Sequence, residues 1–424
     1  MSRHIIDDAK RCLQCKNPRC TQGCPVGTPI KEAISLLLDS KMEKAGELLF
    51  QNNPLSLVCS YICPQENQCE GHCVLGVKGM PVQVSAIERY ISDYYLNLYK
   101  PKVSLNNRGN VAIIGSGPAG IVIALLLAER DCSVTVFEGN DKIGGVLRYG
   151  IPEFRLPKNI LDRITDMMLK KGIKIRPNTT IGASFSVDEL FRDGFHAIFM
   201  GTGVWKPNKL NIKGESLGHV HFAIDYLKNP DVYHLGNRVL VIGAGNVAMD
   251  VARTALRCGS QEVTVICRRG ESSITAREVE VEYAKIDGVK FEFNKIPIEI
   301  TEEGVILAES RVSAGENGRE KAEPVSGTER IFPADSVIVA ISQGPRSVIV
   351  SSTEGIDVKS NGLVLTDDYG RTTRDGVFAS GDVVTGARTV VEAVKVSRLV
   401  ADAIEQYIRQ KYPQFNNSTN NSLI

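Results

Sequence analysis

Eight of the eleven cysteines fall before residue 74, in two groups. The first reads Cys12-x2-Cys15-x4-Cys20-x3-Cys24-Pro25, and the second holds Cys59, Cys63-Pro64, Cys69 and Cys73. Thiolates a few residues apart on tight turns can converge on one iron–sulfur cubane or on one tetrahedral ion. Disulfides fit poorly, because the N-terminus carries Arg3, Asp7, Asp8, Lys10 and Arg11 instead of an export signal's apolar core, and reducing compartments keep thiols free. Structural zinc stays open, since C-x2-C is also a zinc spacing.

Two other segments suit phosphate chemistry. Gly115-Ser116-Gly117-Pro118-Ala119-Gly120 and Gly243-Ala244-Gly245-Asn246-Val247-Ala248 each follow an apolar run, Val111–Ile114 or Val239–Ile242, and precede a helical pattern. Such runs suit strands buried on both faces of a parallel sheet. The glycines permit a tight turn and let the backbone reach a pyrophosphate, which then sits at a helix N-terminus. The two units diverge after their second strands. Glu138 ends SVTVFE, and a carboxylate there suits a ribose diol with free hydroxyls, as in FAD or NAD. Arg268 and Arg269 follow EVTVIC, and guanidinium groups there pair with a 2′-phosphate that a carboxylate would repel. The second site is expected to take NADP(H), with Arg277 either assisting or standing as a plain surface charge.

These residues need elements to hold them. Thr28-Pro29 before Ile30, Ala33, Ile34, Leu37 and Leu38 predicts an amphipathic helix with Thr28 as N-cap, and residues 86–98 predict another. Pro101 and residues 104–109 read as a linker. NVAIIGSGPAG from Asn110 and RVLVIGAGNVA from Arg238 read as a duplicated βαβ nucleotide-binding unit. The final segment, PQFNNSTNNSLI, is polar and expected to be disordered. A length of 424 residues suggests about three domains. A net charge of +1 argues against a nucleic-acid-binding surface spread over the molecule, and the longest apolar stretch, Ile121 to Ala128, is far too short for a membrane span. The chain reads as cytoplasmic.

The tight run of four cysteines and its Cys-Pro ending resemble ferredoxin loops, in which the fourth cysteine of a run ligates the other cluster. The segments CLQCKNPRCTQGCP (12–25), CSYICPQENQCEGHC (59–73) and AIERYISD (86–93) resemble the N-terminal 4Fe–4S domain of the glutamate synthase small-subunit family. The electron-bifurcating transhydrogenase and dihydropyrimidine dehydrogenase share this domain. The resemblance implies that Cys12, Cys15, Cys20 and Cys73 hold one cluster. Cys24, Cys63, Cys69 and a carboxylate, Glu88, would hold the other, with Cys59 spare. Gly376-Val-Phe-Ala-Ser-Gly381-Asp382 resembles the second FAD fingerprint of two-dinucleotide-domain flavoproteins. Asp382 would accept from a ribityl hydroxyl, and the helix opened by Thr389 and Val390 would face the flavin pyrimidine ring. The stretch 144–158, with Gly145 and Arg155, is characteristic of the family and expected against the isoalloxazine. Gly201–Gly203 and residues 340–345 match its strand-to-domain crossings, although the family usually has Gly where Ser342 and Ser397 stand.

The expected fold is α/β: a helical iron–sulfur domain over 1–105, then two Rossmann-like dinucleotide-binding domains. The FAD domain would be discontinuous (106–225 and 333–412), the NADP domain inserted (226–332), and 413–424 a tail. FAD, NADP(H) and two 4Fe–4S clusters together imply a converter of two-electron into one-electron transfer. The NADP domain has no C-x2-C, since Cys258 and Cys267 are far apart, which argues against a disulfide relay and reads both as buried packing residues. Nothing resembles a site for a second organic substrate. Electrons are therefore expected to leave for a partner subunit of glutamate synthase type, or else a pyrimidine-reducing subunit, a transhydrogenase partner or a ferredoxin. Lys10, Arg11, Lys16 and Arg19 could serve docking or balance the cluster thiolates.

Overall fold

Two strand–turn–helix units similar in sequence should build two similar sheets, and they do. In the computed structural model, which describes residues 2–101, 107–314 and 320–417, ten strands form two parallel sheets. In chain order they are β1 (Asn110–Ile114), β2 (Ser133–Phe137), β3 (Lys174–Arg176), β4 (Ala197–Met200), β5 (Val220–Phe222), β6 (Arg238–Ile242), β7 (Glu262–Cys267), β8 (Lys290–Phe293), β9 (Ser336–Val339) and β10 (Val377–Ala379). The first sheet runs β10-β4-β1-β2-β3 and the second β5-β9-β6-β7-β8, all neighbours being parallel. In both, the strand before the glycine turn is central and fully buried beyond its first residue, as a strand covered on both faces must be.

The chain divides into two compact units, one of 1–147, 153–204 and 345–424, the other of 148–152 and 205–344. The second unit starts before 226 and ends after 332 because β5 and β9 pair into its sheet. Its division points, after Val204 and Gly344, fall beside the two crossing segments. Inside the second unit, Lys206–Pro207 and Gln343–Gly344 pair antiparallel. Its remaining sheet is antiparallel, built on the strand Gly304–Ala314.

In the first unit the cysteine-rich head is helical. Ile30, Ile34, Leu37, Leu49, Ile87 and Ile91 form its core, with the helix Val84–Leu98 packed on Met42–Asn52 and Ser56–Ile62. Thr28 does not cap the helix Ile30–Leu38, which starts after Pro29 with no side-chain cap. Its hydroxyl lies 3.2 Å from Cys24 Sγ, drawn to the sulfur instead of to a backbone N–H. The helix Ser56–Ile62 also contacts Val390–Lys411, and the latter packs on Pro118–Glu129. Residues 102–106 of the expected linker and 418–424 of the expected tail lie outside the described residues. Pro413–Asn417 form a 3₁₀ turn instead of a disordered start to that tail. Phe415 and Tyr412 pack edge-on to His196, whose ring is fixed by the Asn110 N–H at 3.0 Å.

Both departures from glycine have visible consequences. Ser397 is fully buried and satisfies its hydroxyl on the Ala393 carbonyl at 2.7 Å. Ser342 has φ of +76°, a left-handed conformation costing a residue with a Cβ about 1 kcal/mol. Ser342→Gly is therefore expected to stabilise the fold by about 0.5 kcal/mol net of glycine's unfolded-state entropy and Ser342→Val to destabilise it, both read as shifts of the chemical denaturation midpoint.

Candidate functional site

Open parallel sheets offer ligands the edge where their strands end. In the first unit this edge collects the Gly115–Gly120 turn after β1, Glu138 after β2, Gly201 after β4, and Ser380, Gly381 and Asp382 after β10. The turn is tight for a steric reason: a Cβ at Gly120 would lie 2.0 Å from the Gly115 carbonyl oxygen. Pro118 opens the helix and Ala119 is buried beside it. Gly145 lies over Gly117, where a Cβ would approach the Gly117 Cα to 2.7 Å, and the Gly144 N–H donates to the Ser116 carbonyl at 3.0 Å.

Glu138 is buried and already engaged. It accepts from the Ser116 N–H (3.1 Å) and hydroxyl through one oxygen, and from the Asn140 N–H and side-chain amide (both 2.8 Å) through the other. Its first effect is thus to hold the glycine turn against β2, a role for Ser116 and Asn140 that the spacing alone did not reveal. Gly381 brings the second fingerprint to the first, since its Cβ would lie 3.3 Å from that of Ala119. Asp382 accepts from the Arg388 N–H at 3.2 Å, and burial pushes its carboxyl up to about 6. Next to it the buried Ser380 hydroxyl has no hydrogen-bond partner. An enclosed carboxylate and an orphaned hydroxyl are what a polyhydroxylated ligand such as FAD would satisfy. Thr389 closes a capping box with Glu392 (N–H 3.0 Å, hydroxyl 2.6 Å), which fixes the start of the helix at Val390. Arg155 lies in the same unit, after Glu153.

In the second unit the corresponding edge carries the Gly243–Ala248 turn and Arg268–Arg269. Asn246 Oδ1 accepts from the Arg277 N–H at 2.9 Å, and the Ala244 carbonyl from the Thr275 and Ala276 N–H groups, so residues 275–277 are strapped to the turn, with Gly245 facing Thr275. Arg268 is exposed and Arg269 half-buried. Arg277 is not a plain surface charge: its side chain is 11% exposed and pairs with the buried Glu280 at 3.9 Å. Glu280 also binds Arg253 at 3.0 Å, and Asp287 joins Arg253 and Arg257 at 2.8 and 2.7 Å.

The head gathers two sets of sulfur and oxygen donors. Cys12, Cys15, Cys20 and Cys73 line one pocket with Leu13, Arg19 and Lys31. Burial pushes the Cys12 and Cys20 thiols up, and neighbouring thiols add to it. Elsewhere in the head Cys24, Cys59 and Glu88 neighbour Cys63, and Cys24 and Glu88 also neighbour Cys69. The Cys69 thiol is pushed up by burial first, then by Glu88, Glu70 and Cys24. The Cys63 thiol is pushed up by Cys59 beside it, then by burial, Glu88 and Cys24. Glu88 is half-buried with an enclosed carboxyl, which burial raises to about 7. Among the described residues no three such side chains converge tightly enough for a single metal ion. Four thiols around one pocket, none of them grouped tightly enough for a single ion, fit the wider donor spacing of a 4Fe–4S cluster. Cys59 is buried, with the Asn53 amide donating to its sulfur at 3.3 Å. Cys267 is buried as expected, but Cys258 is exposed, since it follows the last turn of the helix Asn246–Arg257. Arg11 and Lys10 are occupied locally, Arg11 by Asp8 and the Met80 and Pro81 carbonyls and Lys10 by Asp7, whereas Arg19 lines the pocket of the first thiols together with Lys31.

Known proteins place this architecture. Residues 109–397 match the pyridine nucleotide-disulphide oxidoreductase family, and residues 1–99 match dihydropyrimidine dehydrogenase domain II, 4Fe–4S cluster. The fold recurs in Mycobacterium tuberculosis FprA in complex with NADPH, with a TM-score of 0.59 over 73% of this chain and 88% of that one at 20% identity. The class is thus an iron–sulfur flavoprotein reductase. Within it the chain belongs to the glutamate synthase small-chain family, being 34% identical over 94% of its length to 90% of the Escherichia coli K12 glutamate synthase [NADPH] small chain. It is also 31% identical, over 96% of its length, to 94% of the NAD-dependent dihydropyrimidine dehydrogenase subunit PreT of Salmonella typhimurium. It is an NADPH-dependent oxidoreductase that uses FAD, NADP(H) and 4Fe–4S clusters. No helix among the described residues is long and apolar enough to cross a membrane.

Because a Cβ at position 120 would collide with backbone, Gly120→Ala is expected to lose most bound FAD while keeping its iron. The ratio of flavin to protein absorbance reads the first and metal analysis the second.

Proposed function

We propose that this chain is the electron-input subunit of a larger enzyme, taking electrons from NADPH and handing them singly to a partner redox subunit of the glutamate synthase type. Nicotinamide exchanges a hydride, clusters exchange single electrons, and a flavin does both. The observation carrying the reading is the pair of donor sets in the head. Cys12, Cys15, Cys20 and Cys73 would hold one 4Fe–4S cluster, and Cys24, Cys63, Cys69 and Glu88 the other. The helix Ser56–Ile62, which ends at Cys63, also contacts the Val390–Lys411 helix behind Asp382. This supports the second set as the one nearer the flavin site. The first set opens on the side of Leu13, which is 58% exposed, a suitable exit for electrons.

Gly115, Gly117, Gly120 and Glu138 would hold the adenosine diphosphate end of FAD. Gly381, Asp382 and the start of the Val390 helix would hold its ribityl and pyrimidine portions, with Gly145 and Arg155 near the ring. Gly243, Gly245 and Asn246 would seat the pyrophosphate of NADPH, and Arg268 and Arg269 its 2′-phosphate. Hydride transfer needs no general acid or base at the nicotinamide, so no side chain is assigned that task. A pyrimidine-reducing partner is the second reading, favoured by the near-equal identity to the pyrimidine dehydrogenase subunit.

Charge-assisted hydrogen bonds contribute about 1.5–3 kcal/mol. Arg268→Ala and Arg269→Ala should therefore raise KM for NADPH roughly 10- to 100-fold in dye reduction and leave NADH little affected. Equal losses with both nucleotides would refute a 2′-phosphate role. Anaerobic affinity purification from native extract should recover a flavin-bearing partner subunit with a chain carrying about eight irons. A chain that stays alone and passes electrons only to small dyes would count against the input-subunit reading.

A further inference from the structure

Ser56 and Ser92 join Glu88 in a buried hydroxyl chain. Ser56 Oγ lies 2.7 Å from Glu88 Oε1 and 2.8 Å from Ser92 Oγ, and the two serines are 3% and 7% exposed. The chemistry fixes the direction of these bonds. As a metal ligand Glu88 is an ionised carboxylate, which only accepts, and a serine has one proton to give. Ser56 therefore donates to Glu88, and Ser92 donates to Ser56. We propose that Ser56 and Ser92 are positioning residues for the second cluster, committing one oxygen of Glu88 to a fixed donor so that the other is presented to iron.

The proposal rests on Glu88 being a cluster ligand and explains how a glutamate can serve where the other positions are cysteines. A thiolate hangs from one rotatable bond, but a glutamate carboxylate hangs from three and must lose that freedom to bind at a set point. Metal-bound groups are commonly oriented by hydrogen bonds from an outer layer of residues, whose loss costs about 10- to 100-fold in metal affinity or activity. Here that layer is built from two helices. Glu88 and Ser92 stand four residues apart on Val84–Leu98, hence on one face. Ser56 is the first residue of Ser56–Ile62, and Cys63 follows its last. One short helix thus carries both a thiol of the donor set and the hydroxyl that aims its carboxylate, so the two are held at a fixed separation. The buried hydroxyl of Ser56 also withdraws charge from the carboxylate, which favours the reduced cluster.

The test uses the full chain, purified anaerobically as the holoprotein, in wild-type, Ser56→Ala, Ser56→Thr, Ser92→Ala and Glu88→Ala forms. Iron content, reduced-state EPR and redox titration are measured. The cluster disturbed by Glu88→Ala identifies the signal to follow. Ser56→Ala is expected to shift that signal and lower its midpoint, by about tenfold in the reduction equilibrium or 59 mV for a one-electron couple. The other cluster and the FAD content should be unchanged, Ser92→Ala should act in the same direction by less, and Ser56→Thr should restore the wild-type signal. An intact second signal and the FAD content report folding, and Ser92→Ala keeps the proposal testable if Ser56→Ala fails to fold. Disturbance by Glu88→Ala with both serine variants matching wild type would overturn the positioning role. A wild-type signal in Glu88→Ala would overturn the ligand reading beneath it, and this proposal with it.

Discussion

The donors in the head repel one another. Cys59 and burial, then Glu88 and Cys24, disfavour charge on Cys63, and burial, Glu88, Glu70 and Cys24 do the same for Cys69. Metal ligands must be deprotonated to bind, so binding here removes protons that the folded chain holds tightly. The apolar core has Cys69 buried in it and Cys12, Cys20 and Cys73 packed against it, so these thiols are held neutral until something takes their protons. Two of these groups also carry hydroxyl contacts, Glu88 from Ser56 and Cys24 from Thr28.

The two sheets solve an easier problem twice. Each puts a glycine turn at the end of its central strand and a charged side chain at the end of the next. The turns differ where backbone and helix meet. Gly120 tolerates no side chain, whereas Ala248 is fully buried at the equivalent position. Those side chains differ in charge, Glu138 being bonded on both oxygens and Arg268 exposed. One architecture thus serves two nucleotides by changing few residues.

Much of this was legible in the sequence because it is local. A strand, a glycine turn and a helix follow each other within 20 residues, and cysteine spacing survives any folding of the chain. What escaped depends on residues far apart. Ser56 and Glu88 are 32 positions apart with no motif joining them, although Ser92, one helical turn beyond Glu88, carried a faint signal. The second compact unit extends beyond 226 and 332 because β5 and β9, runs of only three and four residues, pair into its sheet, and their partners appear only in the folded sheet. Thr28 looked like a helix cap until a nearby sulfur claimed its hydroxyl, and Phe415 looked like part of a polar tail until His196 offered it a ring edge.

The short antiparallel pairing of Lys206–Pro207 with Gln343–Gly344 bears on how such a chain is assembled. A floppy insertion burdens its host with the entropy of closing a loop, about 0.6 kcal/mol for each doubling of length. Here the entrance and exit of the inserted unit are stapled to each other by its own backbone. To the surrounding chain, some 140 residues between positions 205 and 344 count as little more than a hairpin. The strained Ser342 sits beside that staple, so an awkward backbone angle borders the junction that lets a second nucleotide-binding unit be carried as a cassette.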